Sequence, residues 1–224
     1  MNTLSVVIPV YNEADTVEEV IRRIQELPIE KQIIVVDDAS TDGTGELLKK
    51  MDGSIMVITH GTNLGKGVAV KSGFRYVTGK AVIIQDADLE LYPEDIPSLL
   101  EKMEEKKCAL VIGSRILEFS EKRTMNYYGN IFLTWIANVL FDLSLTDIMS
   151  GYKLLDSGII PEFTIESASF SMEPEIVVKV CNLNMKICEV PVRYKPRRRM
   201  EGKKIRKWHG FSVIYTLLKF RFFQ

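Results

Sequence analysis

The residue types best suited to chemistry gather in Gln85-Asp86-Ala87-Asp88-Leu89-Glu90. Asp86 and Asp88 stand one residue apart and Glu90 follows two residues on, a set of hard oxygen ligands suited to Mg²⁺ or Mn²⁺. Taken alone, an Asp-x-Asp is better read as a polar strand end that caps the next helix. Its company favours the ligand reading: Glu13, Asp37 with Asp38, and Ser114 with Arg115 also follow apolar runs. In open α/β sheets ligands bind beyond the carboxyl ends of the strands. An edge lined in this way suits a nucleoside diphosphate and its metal. Carboxylates accept from base or ribose hydroxyls, and the cation neutralises the pyrophosphate.

These groups need elements to position them. Leu4 to Val10, Ile33 to Val36, Ile55 to Ile58, Ala81 to Ile84 and Ala109 to Ile112 are apolar at nearly every position. Such runs predict strands buried on both faces, as in a parallel sheet. Between them, Val17, Val20, Ile21 and Ile24 mark a helical stripe that stops near Pro28. Ser40-Thr41-Asp42-Gly43-Thr44 supplies a turn and a helix N-cap. Gly61 to Gly67 opens a helix running through Lys71 and Phe74, and another helix starts at Pro93. Strand and helix alternate, which predicts an α/β fold with a mostly parallel central sheet flanked by helices. Beyond Arg115 the pattern changes. Met125 to Leu145 reads as a helix rich in aromatic and aliphatic residues, either interfacial or wholly in the core. Thr146 to Lys153 reads as a loop, Pro174 to Leu183 as a helix and Met185 to Tyr194 as extended chain. Phe211 to Phe223 reads as an amphipathic C-terminal helix that leans on an apolar surface.

A chain of 224 residues with 46% apolar content and net charge −1 suits one domain spanning 1–224. We divide it into a nucleotide-binding half, 1–115, and a membrane-facing half, 116–224. The charge balance hides a basic loop, 195–207, with eight Lys or Arg against Glu201. At an anionic membrane each cation contributes about 1 kcal/mol, and the aromatic tail beside it fits the same surface. Nucleic acid is excluded as the partner, because the chain as a whole is not basic and has no recognition motif. The start of the chain reads at once as a strand, so no signal peptide is expected. No run reaches the roughly 20 apolar residues of a membrane span. The expected location is peripheral, on the cytoplasmic face of a membrane. Cys108, Cys181 and Cys188 lack metal-ligand spacing and are expected as core thiols. His60 and His209 have no partner in the sequence and receive no catalytic role.

Gly61-Thr62-Asn63-Leu64-Gly65-Lys66-Gly67 is not a phosphate loop: three residues separate its glycines where four are needed, and no hydroxyl follows the lysine. A tight turn beside the nucleotide is expected, with Lys66 near a phosphate. Together, Ile8-Pro9-Val10-Tyr11-Asn12-Glu13, Val36-Asp37-Asp38-Ala39-Ser40-Thr41-Asp42-Gly43-Thr44, Asn63-Leu64-Gly65-Lys66-Gly67, Asp86-Ala87-Asp88 and Gly113-Ser114-Arg115 resemble the inverting family 2 glycosyltransferases of the GT-A (nucleotide-diphospho-sugar transferase) fold. Glu189-Val190-Pro191-Val192 and Glu201-Gly202-Lys203-Lys204-Ile205 resemble the branch that transfers sugars to polyprenyl phosphates, typified by dolichol-phosphate mannose synthase.

The resemblance implies that Pro9, Tyr11, Glu13 and Asp38 line the nucleoside pocket. It implies that Asp86 and Asp88 meet metal and diphosphate, with Glu90 where the branch usually has glutamine. Arg115 would face the acceptor phosphate, and Arg197, Lys203 and Lys204 would close near the donor and acceptor phosphates. Asp147 and Gly151 would border the sugar. The chain departs from the branch at Asn126-Tyr127-Tyr128, where an arginine is common before Gly129-Asn130; Arg123 is the expected substitute. It departs again at Ser171, which leaves Glu173 to contact the sugar. The implied reaction is inverting transfer of a hexose from a nucleoside-diphosphate sugar, GDP-mannose before UDP-glucose, to polyprenyl or dolichyl phosphate. Its chemistry is coherent without the analogy. A phosphate monoester has its second pKa at about 6, so it attacks without a general base. The enzyme then supplies cation and carboxylates for the leaving diphosphate and arginines for the nucleophile. The alternatives are a transferase acting on a polysaccharide or other hydroxyl acceptor, which needs a base, a non-catalytic membrane-recruited subunit of the same fold, and, more weakly, a nucleotidyltransferase.

Overall fold

The computed structural model of the chain describes residues 3–51, 53–117, 125–162, 164–169, 171–197 and 209–223. The chain starts with β1 (Leu4–Val10), α1 (Val17–Gln25), β2 (Lys31–Asp37), α2 (Thr44–Lys50) and β3 (Met56–Thr59). It continues with α3 (Lys66–Phe74), β4 (Ala81–Ile84), α4 (Ile96–Lys106) and β5 (Leu110–Ser114). Then come α5 (Met125–Phe141), β6 (Lys153–Asp156), α6 (Met172–Asn182), β7 (Ile187–Pro191) and α7 (His209–Phe222). The strands form a seven-stranded sheet in the order β3-β2-β1-β4-β6-β5-β7.

The unbroken apolar runs have their cause in the two-residue period of a strand. Val6 and Ile8 of β1, Ile33 and Val35 of β2, and Ala81 and Ile83 of β4 enter one core, beneath Val17, Val20, Ile21 and Ile24 of α1 and Leu99 of α4. Val7, Ile34, Val36, Val82 and Ile84 enter the other core, beneath α3, α5, α6 and α7. Both faces are covered, so a polar residue there needs its own partner: the buried Ser5 of β1 donates to Gln32 Oε1 at 2.7 Å.

The strand at Lys153 to Asp156 is not among the expected ones, and it overlaps the loop read from Thr146 to Lys153 at its last residue. β6 runs antiparallel to both β4 and β5, whereas β1 pairs in parallel with β2 and β4, and β5 with β7. A four-residue strand with charged ends has no periodic signal of its own. Its place depends on the strands on either side. Because β6 is reversed, the segment before it arrives at the edge where β4 and β5 end.

The cysteines also differ from expectation. Cys108, after α4, and Cys188, on β7, form a disulfide with Cα atoms 6.1 Å apart. The parallel pairing of β5 with β7 sets Cys188 opposite Val111, which brings together positions 80 residues apart in sequence. Cys181 alone is a free thiol, and burial raises its pKa.

Helices α5 and α7 each have two apolar faces. Val213, Leu217 and Phe220 of α7 and Ala137 and Phe141 of α5 are in the core. The opposite faces expose Phe132, Trp135 (59%) and Val139 on α5, and Phe211 (72%), Tyr215 and Phe222 on α7. The wholly buried reading of α5 is thereby excluded. Among the described residues no helix is long and apolar enough to cross a membrane.

Candidate active site

The carboxyl ends of β1, β2 and β4 carry three non-glycine residues in the left-handed backbone region: Asn12 (φ 53°), Ala39 (φ 62°) and Leu89 (φ 59°). Such residues cost energy and persist where the surroundings dictate them. Here the first two loops are stitched together. Asn12 N donates to Ser40 Oγ at 2.9 Å, Thr41 N to Asn12 Oδ1 at 2.8 Å, Glu13 N to Thr44 Oγ1 at 3.0 Å, and Ala14 N to Asp42 Oδ2 at 3.0 Å. The hydroxyl- and acid-rich stretch after Asp38 is therefore the frame of the β1–α1 loop. Asp42 also accepts Thr44 N at 3.0 Å, at the start of α2.

Asp38 is buried and fastens the glycine loop. Its carboxylate accepts Leu64 N (2.9 Å) and Gly65 N (2.7 Å), and it meets His60 Nδ1 at 2.7 Å. His60, without a partner in the sequence reading, thus bridges Asp38 to Ser72, whose Oγ lies 3.0 Å from Nε2. The two later glycines allow close approach. A Cβ on Gly65 would lie 2.2 Å from Ala168 O, and one on Gly67 would lie 1.8 Å from Ser167 O. Gly67 N donates to Ala168 O at 3.0 Å. The loop is a clasp between α3 and the segment before α6.

Lys66 opens α3 and is held between two carboxylates, 2.7 Å from Asp86 Oδ1 and 2.8 Å from Glu173 Oε1. Burial opposes its charge, but Asp86 and then Glu173 outweigh burial and raise its pKa. Glu173 Oε2 is buried with no hydrogen-bond partner among the described residues. A Cβ on Gly151 would stand 2.6 Å from Asp86 Oδ2, so only glycine admits that carboxylate here. Glu90 is engaged by the 194–197 segment. Its Oε2 accepts Tyr194 OH at 3.0 Å and its Oε1 accepts Arg197 N at 2.8 Å. Arg197 crosses the site edge, donating Nε to Asp88 O (2.8 Å) and Nη2 to Glu13 Oε2 (2.7 Å).

The expected ligand trio of Asp86, Asp88 and Glu90 does not assemble. Among the described residues no group of three or more His, Cys, Asp or Glu side chains could hold a metal. The remaining pair still fits a divalent cation. Burial first, then Asp86 and Glu90, push the pKa of Asp88 up to about 7, which marks an excess of negative charge. Mg²⁺ is commonly bound by one or two carboxylates together with substrate phosphates. Asp86 and Asp88 supply such a pair.

Arg115 leaves the end of β5 and forms a bidentate pair with the fully buried Asp147, Nε to Oδ2 at 2.7 Å and Nη2 to Oδ1 at 2.8 Å. Asp147 also accepts Arg115 N (3.1 Å) and Asn130 Nδ2 of α5 (2.7 Å). Burial alone would raise the pKa of Asp147, but the Arg115 guanidinium holds it below its ordinary value. The loop itself is anchored from two sides. Glu189 on β7 accepts Thr146 N at 2.8 Å and Asp147 N at 3.1 Å. The buried Lys153 ammonium donates to Ile148 O and Ser150 O, and burial lowers its pKa to about 8.

A cavity of about 310 Å³ collects the residues of the nucleotide edge. Pro9, Tyr11, Glu13, Asp38, Lys66, Asp86 and Asp88 line it, joined by Asn63 and Ser169, which sequence reasoning missed. Glu173 and Gly151 lie behind this wall against Lys66 and Asp86, and Asp147 is Arg115's counter-ion. Arg123, Lys203 and Lys204 lie outside the described residues. The sequence signal for Glu189 was present in Glu189-Val190-Pro191-Val192, but its contact with the 146–147 loop depends on strand pairing.

The family model for glycosyl transferase family 2 matches residues 5–164. A protein of Micrococcus luteus named undecaprenyl-phosphate mannosyltransferase is 30% identical over 213 residues, 88% of this chain and 85% of the relative. A protein of Pyrococcus furiosus named dolichol-phosphate mannosyltransferase is 28% identical over 96% of this chain, which spans only 64% of that relative. Among solved structures, glucosyl-3-phosphoglycerate synthase from Mycobacterium tuberculosis, in complex with Mn²⁺, UDP and glucosyl-3-phosphoglycerate, aligns with a TM-score of 0.76 at 20% identity, covering 98% of this chain and 80% of that one. The same enzyme with Mg²⁺ and UDP aligns with a TM-score of 0.76 at 21% identity, covering 98% of this chain and 79% of that one. These likenesses show the fold, which is the GT-A fold expected from the sequence.

Proposed function

The chain belongs to glycosyl transferase family 2, and from that premise we propose that it transfers a hexose from a nucleoside-diphosphate sugar to a polyprenyl phosphate, inverting the anomeric centre. GDP-mannose is the favoured donor and UDP-glucose the next. In this reading the chain is one domain, with residues 1–115 as the donor half and 116–224 as the acceptor half. Pro9, Tyr11 and Asp38 hold the nucleoside. Lys66, Gly151 and Glu173 face the diphosphate and sugar, and Asp86 and Asp88 hold a divalent cation. That cation, when bound, offsets the charge that develops on the leaving diphosphate.

The observation that carries the acceptor assignment is the place of Arg115. Its Nε and Nη2 are bound by Asp147, and Nη1 has no hydrogen-bond partner among the described residues. The same Asp147 is bonded to Asn130 on α5, the helix whose outer face exposes Phe132, Trp135 and Val139. A phosphate on Nη1 would sit at one end of that apolar face, along which its lipid would lie. The acceptor dianion attacks in line and needs no proton acceptor. The relatives from Micrococcus luteus and Pyrococcus furiosus, named for undecaprenyl and dolichol phosphate, support the same acceptor class. The exposed aromatic residues of α5 and α7, with the basic stretch 195–207, support a peripheral position on the cytoplasmic membrane face.

The test is transfer of radiolabelled sugar into organic-extractable lipid. GDP-mannose and UDP-glucose are offered separately, with short polyprenyl phosphate and Mn²⁺ or Mg²⁺, beside an Asp88→Asn control. Metal-dependent lipid label that is absent in the control is expected. Donor hydrolysis with no labelled lipid would sink the acceptor assignment.

A further inference from the structure

Next to the Asp38 clasp lies an open groove of about 600 Å³ that none of the chemistry above uses. One wall is a single face of α3, where Val68, Lys71 and Ser72 are followed at helical spacing by the C-cap residue Arg75. The facing wall is Ile165 and Glu166, and His60 and Leu64 close the end nearest the nucleotide. Lys71 and Arg75 are one turn apart, and neither side chain has a hydrogen-bond or ion-pair partner among the described residues. The acid on the opposite wall is already neutralised, because Glu166 is 2.9 Å from Lys179 Nζ and 2.6 Å from Lys219 Nζ. The groove therefore has two uncommitted cations, a hydroxyl at Ser72 and apolar surface from Leu64, Val68 and Ile165.

We propose that this groove is a second anion site that takes a phosphate monoester with a small apolar body and is coupled to the nucleotide cavity. Arg and Lys side by side suit a phosphate, the guanidinium by its fork and the ammonium as a point charge. The coupling follows from shared walls. Leu64 lines the groove and Gly65 the nucleotide cavity, and Asp38 accepts both of their amides. Ile165 and Glu166 line the groove and Ser169 the nucleotide cavity, and the residues between them form the clasp on Gly65 and Gly67. An anion that bridges α3 to the 165–166 segment loads the clasp that shapes the nucleotide cavity. Binding at either site then changes affinity at the other by one reciprocal factor. This site does not depend on the acceptor assigned above.

The experiment follows backbone amide resonances of the whole chain during titration with inorganic phosphate. Saturating GDP, or UDP, with diamagnetic Mg²⁺ blocks the nucleotide cavity. The expected result is saturable shifts at Lys71, Ser72 and Arg75, weakened about tenfold or more in a Lys71→Ala/Arg75→Ala variant, as loss of two charge-assisted contacts implies. The variant should keep its nucleotide-induced shifts at Tyr11 and Ala87, which reports that it is folded. The phosphate Kd should differ about fivefold or more with and without nucleotide. Vesicles of phosphatidylcholine and phosphatidic acid in equal parts form a second arm. Shifts at the same three amides with vesicles alone assign the monoester to a lipid headgroup, and shifts with inorganic phosphate assign it to a soluble ligand. Shifts confined to residues 9–13 and 86–88, or phosphate binding unchanged in the variant, would overturn the site. An identical phosphate Kd with and without nucleotide would overturn the coupling.

Discussion

Asp147→Asn isolates what holds Arg115. Both carboxylate oxygens of Asp147 face donors: Oδ2 accepts Arg115 Nε and N, and Oδ1 accepts Arg115 Nη2 and Asn130 Nδ2. An amide supplies one oxygen and turns an NH₂ group towards donors in either orientation. The substitution also leaves a guanidinium without its counter-charge. Breaking a buried pair costs about 3–5 kcal/mol. Because the Arg115 side chain retains 21% exposure, the low end applies, about 3 kcal/mol. For a chain of this size that corresponds to a fall of about 6–12 °C in Tm. Urea unfolding should show a lower midpoint with an unchanged slope. Arg115→Met in the Asp147→Asn background should restore part of the loss, since no unpaired charge then remains. The pH dependence has a definite sign. The folded pKa of Asp147 lies below its ordinary 3.8, so its stabilisation is complete above 3.8 and is lost as pH falls through the depressed value. The variant should lack this acid-side loss. A change below about 1 kcal/mol, the scale of a surface pair, would refute the assignment of Asp147 as Arg115's counter-charge.

Gly67→Ala drives a Cβ to 1.8 Å from Ser167 O, and it should destabilise by about 3 kcal/mol through overpacking against backbone; an unaltered urea midpoint would contradict the clasp. Gly151→Ala presses on Asp86 at 2.6 Å. It should lower kcat about 100-fold by misplacing that carboxylate, with little change in unfolding, and normal turnover would show that Asp86 is not held there for catalysis. Asp88→Asn should raise the Tm of the metal-free protein at pH 8. The folded pKa of about 7 exceeds the ordinary 3.8, so ionisation above that range destabilises the fold. The variant should also lose the Tm increase that Mn²⁺ with nucleotide gives the wild type, and retention of that increase would place the cation elsewhere.

The sequence displays what repeats or is locally obligatory. β1, β2 and β4 are legible because a strand buried on both faces is apolar at nearly every position, with Ser5 of β1 the buried exception. Asp38 and Asp86 are legible because such strands have to end in something polar. What these carboxylates touch is less legible. Asp147 reads as a sugar neighbour, and nothing in the sequence announces that it also carries the counter-charge of Arg115. Glu90 reads as a third metal ligand, but it fastens Tyr194 and Arg197. His60 gains Asp38 and Ser72 only when β2, β3 and α3 have packed. β6 and the Cys108–Cys188 disulfide share one difficulty, that their partners are brought by sheet order, and no spacing within the chain encodes that order.

The reversed strand β6 also governs how a chain of this design tolerates exchange. The chain leaves the sheet after Ser114 and re-enters it at Lys153 on the same edge, so the insertion begins and ends at one place. Its outward-facing content can be rewritten with the order of the strands intact, while Ala137, Phe141 and Ile148 hold it to the core. The donor wall offers no such unit, because it is spread over the ends of β1, β2 and β4 and the start of α3, each reached by its own crossing of the sheet. On the proposed function, a lineage built on this plan can keep its nucleotide and trade its acceptor, and chimaeras between relatives have natural seams at Ser114 and Lys153.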